Sequence, residues 1–534
     1  MAYPAVNWTI MVYISADNVL ANFAIESLKQ LRDAAGNGIV VVAEFDDNQQ
    51  EDARMYLFDG DSKKRTLPIE NSRIPKKEVS HLKTIRHVDM TRPETLTEFI
   101  DYASDLSKTE RYCLIVWGHG IELLLDQERR FGTTNRSARR HLTSVNLKKA
   151  IQDTKLAKGG LGPNHPKTIL DDLRSEQEKG HTLEIIGTKR RMSRSDDFGR
   201  KQKNRHTLDI MGLDACSMSM IEVASELQDC VDFMIASQED VPDASFPYEK
   251  ILSDLRAHNV RDDVRKVCKM IPRLYDEAFR DYIANADTGV KGITLASLDL
   301  RKVYTIAGPL SRLSTALLAS SFDKSSRKQV LSARKNTQDF VFGLLVDVCD
   351  FCHCLDAAFT KAKIKDSSLH SACEEICKAL KVHDDGFVIA NQSRKEDHRC
   401  HGLSIYLPYR DNKDETDNAE EQFAKGGTRE PLKGGTREPL KERTARIREL
   451  EADFARLDEF RRTRWIEFIK RGWSFILANK TPFKLDYYYS AEQVAQNLRS
   501  FTQKPPLASK VLKPALWRRK AFGMPPDYKQ RRAG

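Results

Sequence analysis

No stretch of this chain is apolar for long enough to span a bilayer, which excludes a helical membrane protein. The segment from Met1 to Asp17 lacks a basic start, an apolar core and a small-residue cleavage site. By Trp8 it already reads as a strand. A cytoplasmic location is therefore expected, with no membrane partner. Cysteine is too thinly spread for a disulfide framework, ten residues in 534, and in a reducing compartment such thiols stay free. At least one of them is then available as a nucleophile. Acidic residues fall short of basic ones, 77 against 87, leaving a net charge of +10. The excess is concentrated between Lys189 and Arg205 and from Arg518 to Arg532. Basic runs attract nucleic acid or acidic partners, but most are simply solvated surface, so nucleic acid is not the expected partner.

What is present is an alternation of buried-strand runs and helical patterns. Asn7 to Ile14 is apolar, aromatic and β-branched, and Ser15-Ala16-Asp17 then reads as the start of a helix running through Leu31. Gly38 to Phe45, Tyr112 to Trp117, Leu208 to Leu213 and Val231 to Ala236 are further continuous apolar runs, and Pro93 to Leu106 reads as a helix. This order predicts an α/β fold, a mostly parallel central sheet covered by helices on both faces. A chain of 534 residues exceeds the size at which one core stops growing, so a main domain with an appended region is expected.

Functional groups on such sheets gather where loops leave the carboxyl ends of the strands. Two strand ends carry unusual residues: Trp117-Gly118-His119-Gly120, and Gly212-Leu213-Asp214-Ala215-Cys216 ahead of a helix expected near Ser217. A thiol titrates near 8.5 in isolation and becomes a nucleophile when a histidine or a helix N-terminus stabilises its anion. Both aids are open to Cys216. Gly118 and Gly120 leave the backbone free to place the His119 imidazole, and the N–H of Gly120 is a candidate oxyanion donor beside that of Cys216. The plainer reading remains beside this one: a cysteine after a buried strand is ordinarily a small core side chain, and a single histidine a packed or surface residue. Asp214 also has a second role open to it, as cap of the Ser217 helix.

Five motifs in order, WTIMVYISADNVL, LIVWGHG, LDIMGLDACSMSM, FPYEKIL from Phe246 and GLSIYLP from Gly402, resemble the clostripain family of cysteine peptidases over most of Asn7 to about Leu477. The resemblance implies a caspase-like α/β/α sandwich with a largely helical C-terminal region. The expected units are a peptidase core at 1–250, a C-terminal part of the clostripain-like region at 251–478, and a basic, proline-containing tail at 479–534. It also implies a catalytic dyad of His119 and Cys216 and cleavage of proteins after Arg or Lys. Asp214 matches the acid at the bottom of the specificity pocket, and Asp243 is a second candidate. No cofactor is required for this chemistry. Some relatives use calcium, but no acidic loop here is assigned to it.

Between the two dyad residues, Asp153 to His206 looks inserted. It holds Gly159-Gly160, Pro163, Pro166 and a basic run, the composition of a loop. The resemblance implies a zymogen activated by a cut between His119 and Cys216, for which Arg129, Arg130, Arg139, Arg140, Lys189, Arg190 and Arg191 are candidate sites. An upstream protease in a stress or defence cascade is one expected trigger. A second anomaly is KGGTREPL, which occurs at Lys425–Leu432 and again at Lys433–Leu440, a tandem duplication that a surface loop tolerates. The competing class is a catalytically silent scaffold, or a nucleic-acid-binding protein acting through the basic insertion or tail.

Cys349, Cys352, His353, Cys354, Cys373, Cys377 and His401 form a cluster in the sequence, and Cys-x-x-Cys can hold zinc. Phe340 to Phe359 reads as one apolar helix, and the later residues offer no second Cys-x-x-Cys or His-x-x-x-His. These thiols are therefore read as small buried side chains, and no metal is expected.

Overall fold

The computed structural model describes residues 6–16, 20–36, 38–47, 52–58, 83–86, 89–106, 109–121, 124–126, 141–158, 207–257, 263–284, 292–340, 344–395, 399–409, 457 and 459–478. The seven candidate cleavage residues, the greater part of the 153–206 insertion, the tandem repeat and the 479–534 tail lie outside them.

In the first half the strands are β1 (Val6–Ala16), β2 (Ile39–Asp47), β3 (Asp52–Phe58), β4 (Lys83–Arg86), β5 (Thr109–Trp117), β6 (His119–Ile121), β7 (Leu124–Asp126) and β8 (His141–Thr143). The second half adds β9 (Leu208–Asp214), β10 (Val231–Ala236), β11 (Gly292–Asp299), β12 (Asp339–Phe340), β13 (Leu345–Asp347), β14 (Val388–Lys395) and β15 (Ser404–Tyr406). Nine of them form one sheet in the order β14-β11-β10-β9-β5-β1-β2-β3-β4. The middle five, β10 to β2, run parallel, and their buried runs are the ones the apolar segments pointed to. Two further strands on each side are antiparallel.

The two faces bury separate apolar layers, as a sheet with helices on both sides must. On one face Val12, Ile14, Ile115, Ile210 and Ile235 meet the helices Ala21–Ala34, Tyr248–Ala257 and Val264–Ala284 through Leu28, Leu252 and Leu274. On the other, Met11, Tyr13, Leu114, Met211 and Leu213 meet the helices Pro93–Leu106, Ser144–Gln152 and Ile221–Leu227 through Phe99, Leu147 and Val223.

Three expectations are corrected. β1 continues to Ala16, past the expected end at Ile14, and the following helix is Ala21–Ala34. Residues 15 and 16 stay extended because they still pair with Asp46 and Asp47 of β2. The sheet also crosses the boundary expected near residue 250, since β11 and β14 extend it. Finally, Phe340–Phe359 is not one helix. β12 and β13 pair antiparallel through Phe340 and Leu345, and the helix is Val348–Lys361, begun by Asp347, whose carboxylate accepts from the Asp350 N–H at 2.8 Å. A charged side chain inside an apolar run was the stop signal.

The last described segment seals the helical face. Trp465, Phe468 and Trp473 are fully buried, and the two indole N–H groups donate to the carbonyls of Tyr406 and Pro408, both at 2.8 Å. Among the described residues, no helix is long and apolar enough to cross a membrane.

Candidate active site

The register of two neighbouring parallel strands brings the site together. Trp117 at the end of β5 pairs with Asp214 at the end of β9, and the Gly118 N–H donates to the Asp214 carbonyl at 3.3 Å. His119 and Cys216 each stand two residues beyond that matched pair. Adjacent strands lie about 4.8 Å apart, so both backbones leave the sheet at the same edge as close neighbours. His119 opens β6, in register with Asp126 of β7, and Gly120 pairs with Leu125. Gly118 packs so closely that an added Cβ would stand 3.3 Å from the Ser15 carbonyl, which explains a glycine before the histidine.

Cys216 is not at a helix N-terminus. It lies in a turn, the next helix begins at Ile221, and Met220 rather than Asp214 stands at its cap. In place of the helix dipole, the half-buried sulfur accepts from the Val241 N–H at 3.3 Å. The next residue, Ser217, has φ 57°, a left-handed conformation that a serine adopts only under constraint. Its N–H donates to the Glu239 carbonyl at 3.0 Å, which holds the turn against the loop after β10. The GLSIYLP motif braces the same turn. The Ser404 N–H donates to the Ser219 carbonyl at 2.8 Å, and Ser219 Oγ donates to the Gly402 carbonyl at 2.7 Å. Gly402 itself has φ +87° and an added Cβ would meet Ala296 at 3.0 Å, so glycine is required there. Among the described residues no acceptor stands against the backbone N–H of Cys216.

Asp214 is buried at 3% exposure, the last residue of β9. Its Oδ2 accepts from the Phe246 N–H at 3.1 Å and from the Tyr248 hydroxyl at 2.5 Å. Oδ1 is buried without a partner. Burial pushes the carboxyl up to about 7, against the pull of Tyr248, Phe246 and Ser245 toward the ionised form. Ser245 is in turn fixed by the indole N–H of Trp117 and by its own left-handed backbone at φ 63°. The FPYEKIL motif thus acts as the cradle of this carboxylate, a role its apolar letters do not reveal.

Asp243 is exposed in the loop after β10, where it was expected; desolvation by the surrounding chain and then Asp240 push its carboxyl up. Sequence reasoning missed Asp240. It is exposed, and its charge acts on the Cys216 thiol more strongly than that of Asp243 does. Burial first, and then the Asp240 and Asp243 carboxylates, hold the thiol well above its ordinary range, while the Val241 N–H opposes them. The signal was available: three acids at 240, 243 and 214 near one cysteine, with no basic residue between 229 and 249 to balance them.

The Clostripain family profile matches residues 12–157 and 200–471, well over half of the chain. This chain belongs to the clostripain family. It is accordingly a cysteine peptidase, and its substrates are proteins. The family profile passes over 158–199, within the segment that looks inserted. No curated protein matches this clostripain-family peptidase. Solved structures similar to it include a secreted C11 cysteine protease from Bacteroides thetaiotaomicron in complex with an irreversible peptide inhibitor, at 14% identity and TM-score 0.45, covering 78% of this chain and 97% of that one. An inactive zymogen C11 protease from Parabacteroides distasonis is similar at 16% identity and TM-score 0.44, over 76% of this chain and 94% of that one.

Proposed function

We propose that this peptidase cuts proteins after Arg or Lys through a dyad of His119 and Cys216, and that it is made as a zymogen. The single observation that supports the dyad best is the Trp117–Asp214 register, which sends both residues off the same sheet edge at equal distance from a matched pair. His119 takes the proton of the Cys216 thiol, the sulfur attacks the peptide carbonyl, and the imidazolium then protonates the leaving amine. Water hydrolyses the acyl-enzyme. The N–H groups of Cys216 and Gly120 receive the oxyanion.

The preference for a basic residue follows from charge. Asp214 presents a buried carboxylate oxygen without a partner, and the Asp240 and Asp243 carboxylates act on the Cys216 thiol two residues on. A guanidinium or ammonium satisfies that oxygen, and a neutral side chain leaves it unsatisfied. The same cation offsets the two carboxylates that keep the Cys216 thiol protonated, so a basic substrate helps to form the nucleophile that cuts it.

A pH dependence follows. Only the ionised form of Asp214 pairs with a cation, and in the empty site that form is favoured above about 7. The kcat/KM for an arginyl peptide is expected to rise with pH through this range. Tyr248 stabilises the ionised form, so Tyr248→Phe is expected to move the rising limb to higher pH. A profile unchanged by this substitution would separate Asp214 from substrate binding.

The activating cut is expected between His119 and Cys216, at one of the basic residues Arg129, Arg130, Arg139, Arg140, Lys189, Arg190 or Arg191. Mass spectrometry of purified wild type and Cys216→Ala tests it. Self-processing predicts two chains for the wild type and one for the variant. An active wild type that remains one chain contradicts the zymogen, and identical fragmentation of the variant assigns the cut to an upstream protease. We further propose that the enzyme works in the cytoplasm, where its ten free thiols stay reduced.

A further inference from the structure

The thiol cluster away from the dyad is built in a way that small core side chains do not require. Cys349, Cys352 and His353 occupy the first turns of the helix Val348–Lys361, at spacings that put them on one face. Cys373 and Cys377, four residues apart, line the facing side of the helix Ser367–Ala379. This i, i+4 pair is the second half that a search for Cys-x-x-Cys overlooks. Cys349 Sγ lies 3.9 Å from both ring nitrogens of His353. The ligand atoms of Cys349, His353 and Cys377 all fall within 4.8 Å of one another. Cys352 is buried behind them, and its thiol reaches those of Cys373 and Cys377.

Zinc bound at about 2.3 Å to sulfur and about 2.0–2.1 Å to nitrogen in a tetrahedron sets its ligand atoms about 3.5–3.8 Å apart. The Cys349–His353 separation is already close to that. Sulfur and imidazole donors without a carboxylate favour zinc over calcium or magnesium.

We propose that Cys349, His353 and Cys377 bind a zinc ion, with Cys352, on the same helix face as Cys349, offering a sulfur for the fourth position. Binding forms the two zinc–sulfur bonds as the Cys349 and Cys377 thiols release their protons to solvent, and His353 donates a ring-nitrogen lone pair. The ion clamps the helix Val348–Lys361 to the helix Ser367–Ala379. That clamp bears on the peptidase site: Asp347, at the start of the first helix, accepts from Gln238 Nε2 at 3.0 Å, one residue before the Glu239 carbonyl that holds Ser217. The role is structural, since Cys216 lies in a separate turn with its own partners.

The test is the metal content of the full-length protein, purified without chelator, for wild type, Cys216→Ala, Cys377→Ser and His353→Ala. About one zinc per chain is expected for the first two, and a fall of about tenfold for the last two. His353 is exposed, so its alanine variant keeps the fold if Cys377→Ser does not. Cobalt added to the metal-free wild type should give a thiolate charge-transfer band that His353→Ala weakens. A chelator should lower the thermal midpoint of the wild type and leave that of His353→Ala unchanged. Three results would overturn the site: wild type with less than about a tenth of a zinc per chain and no cobalt band; zinc retained in both ligand variants; or a disulfide among Cys349, Cys352, Cys373 and Cys377 in the protein as isolated.

Discussion

Asp214→Asn is expected to lower kcat/KM for a peptide ending in arginine by about a hundredfold or more, while a matched peptide ending in a neutral residue loses far less. The substitution keeps the shape and leaves Oδ2's partners, Tyr248 and the Phe246 N–H, with an amide oxygen to bond. What disappears is the negative charge that a guanidinium needs in a desolvated pocket, where an ion pair is worth far more than at the surface. Fluorogenic peptides differing only in the residue before the cut measure it. A uniform loss on all of them would make Asp214 a structural support of β9 instead. Asp240→Asn provides the contrast, because that exposed carboxylate acts on the Cys216 thiol and is not buried in the pocket.

The second large effect concerns the dyad. Cys216→Ala and His119→Ala are each expected to reduce hydrolysis by about 10⁴-fold or more, and the double variant to be no worse than either, since the two groups act as one unit. Cys216 is half-buried in a turn, so its truncation should leave far-UV circular dichroism and the thermal midpoint close to those of the wild type. Activity surviving in Cys216→Ala would point to a different nucleophile.

How far the sequence carried the reading differs from element to element. The five central strands were legible because strands buried on both faces must be apolar throughout, and Val231 to Ala236 was bounded to the residue. The antiparallel strands β3, β4, β11 and β14 were not singled out: β4 and β14, the two sheet edges, are of mixed polarity, and β11 pairs with a strand distant in the chain. The helix expected near Ser217 begins at Ile221 and does not take up Ser217 to Met220. The chain instead spends them on a strained turn and a bridge to Ser404, a contact 184 or so positions away that no local pattern encodes. The helix through Phe340 failed for the reverse reason: Asp347 interrupts an apolar run that hairpin and helix share.

At the site, His119, Cys216 and Asp214 were visible as polar residues at strand ends. Their mutual position was not, because it depends on the β5–β9 register. Asp240 was not singled out, since its effect on the Cys216 thiol depends on how the loop after β10 folds back over the turn. The role of Tyr248 as holder of Asp214 lay in a motif that was matched without being understood.

Ten cysteines, all free, make one measurement especially discriminating. The protein is treated with a peptide that ends in lysine and carries a thiol-trapping electrophile at the scissile position, then digested and mapped by mass spectrometry. The account predicts a single adduct, on Cys216, formed in step with loss of activity and suppressed by Asp214→Asn. Labelling of a different cysteine, or equal labelling by a peptide ending in aspartate, would contradict it.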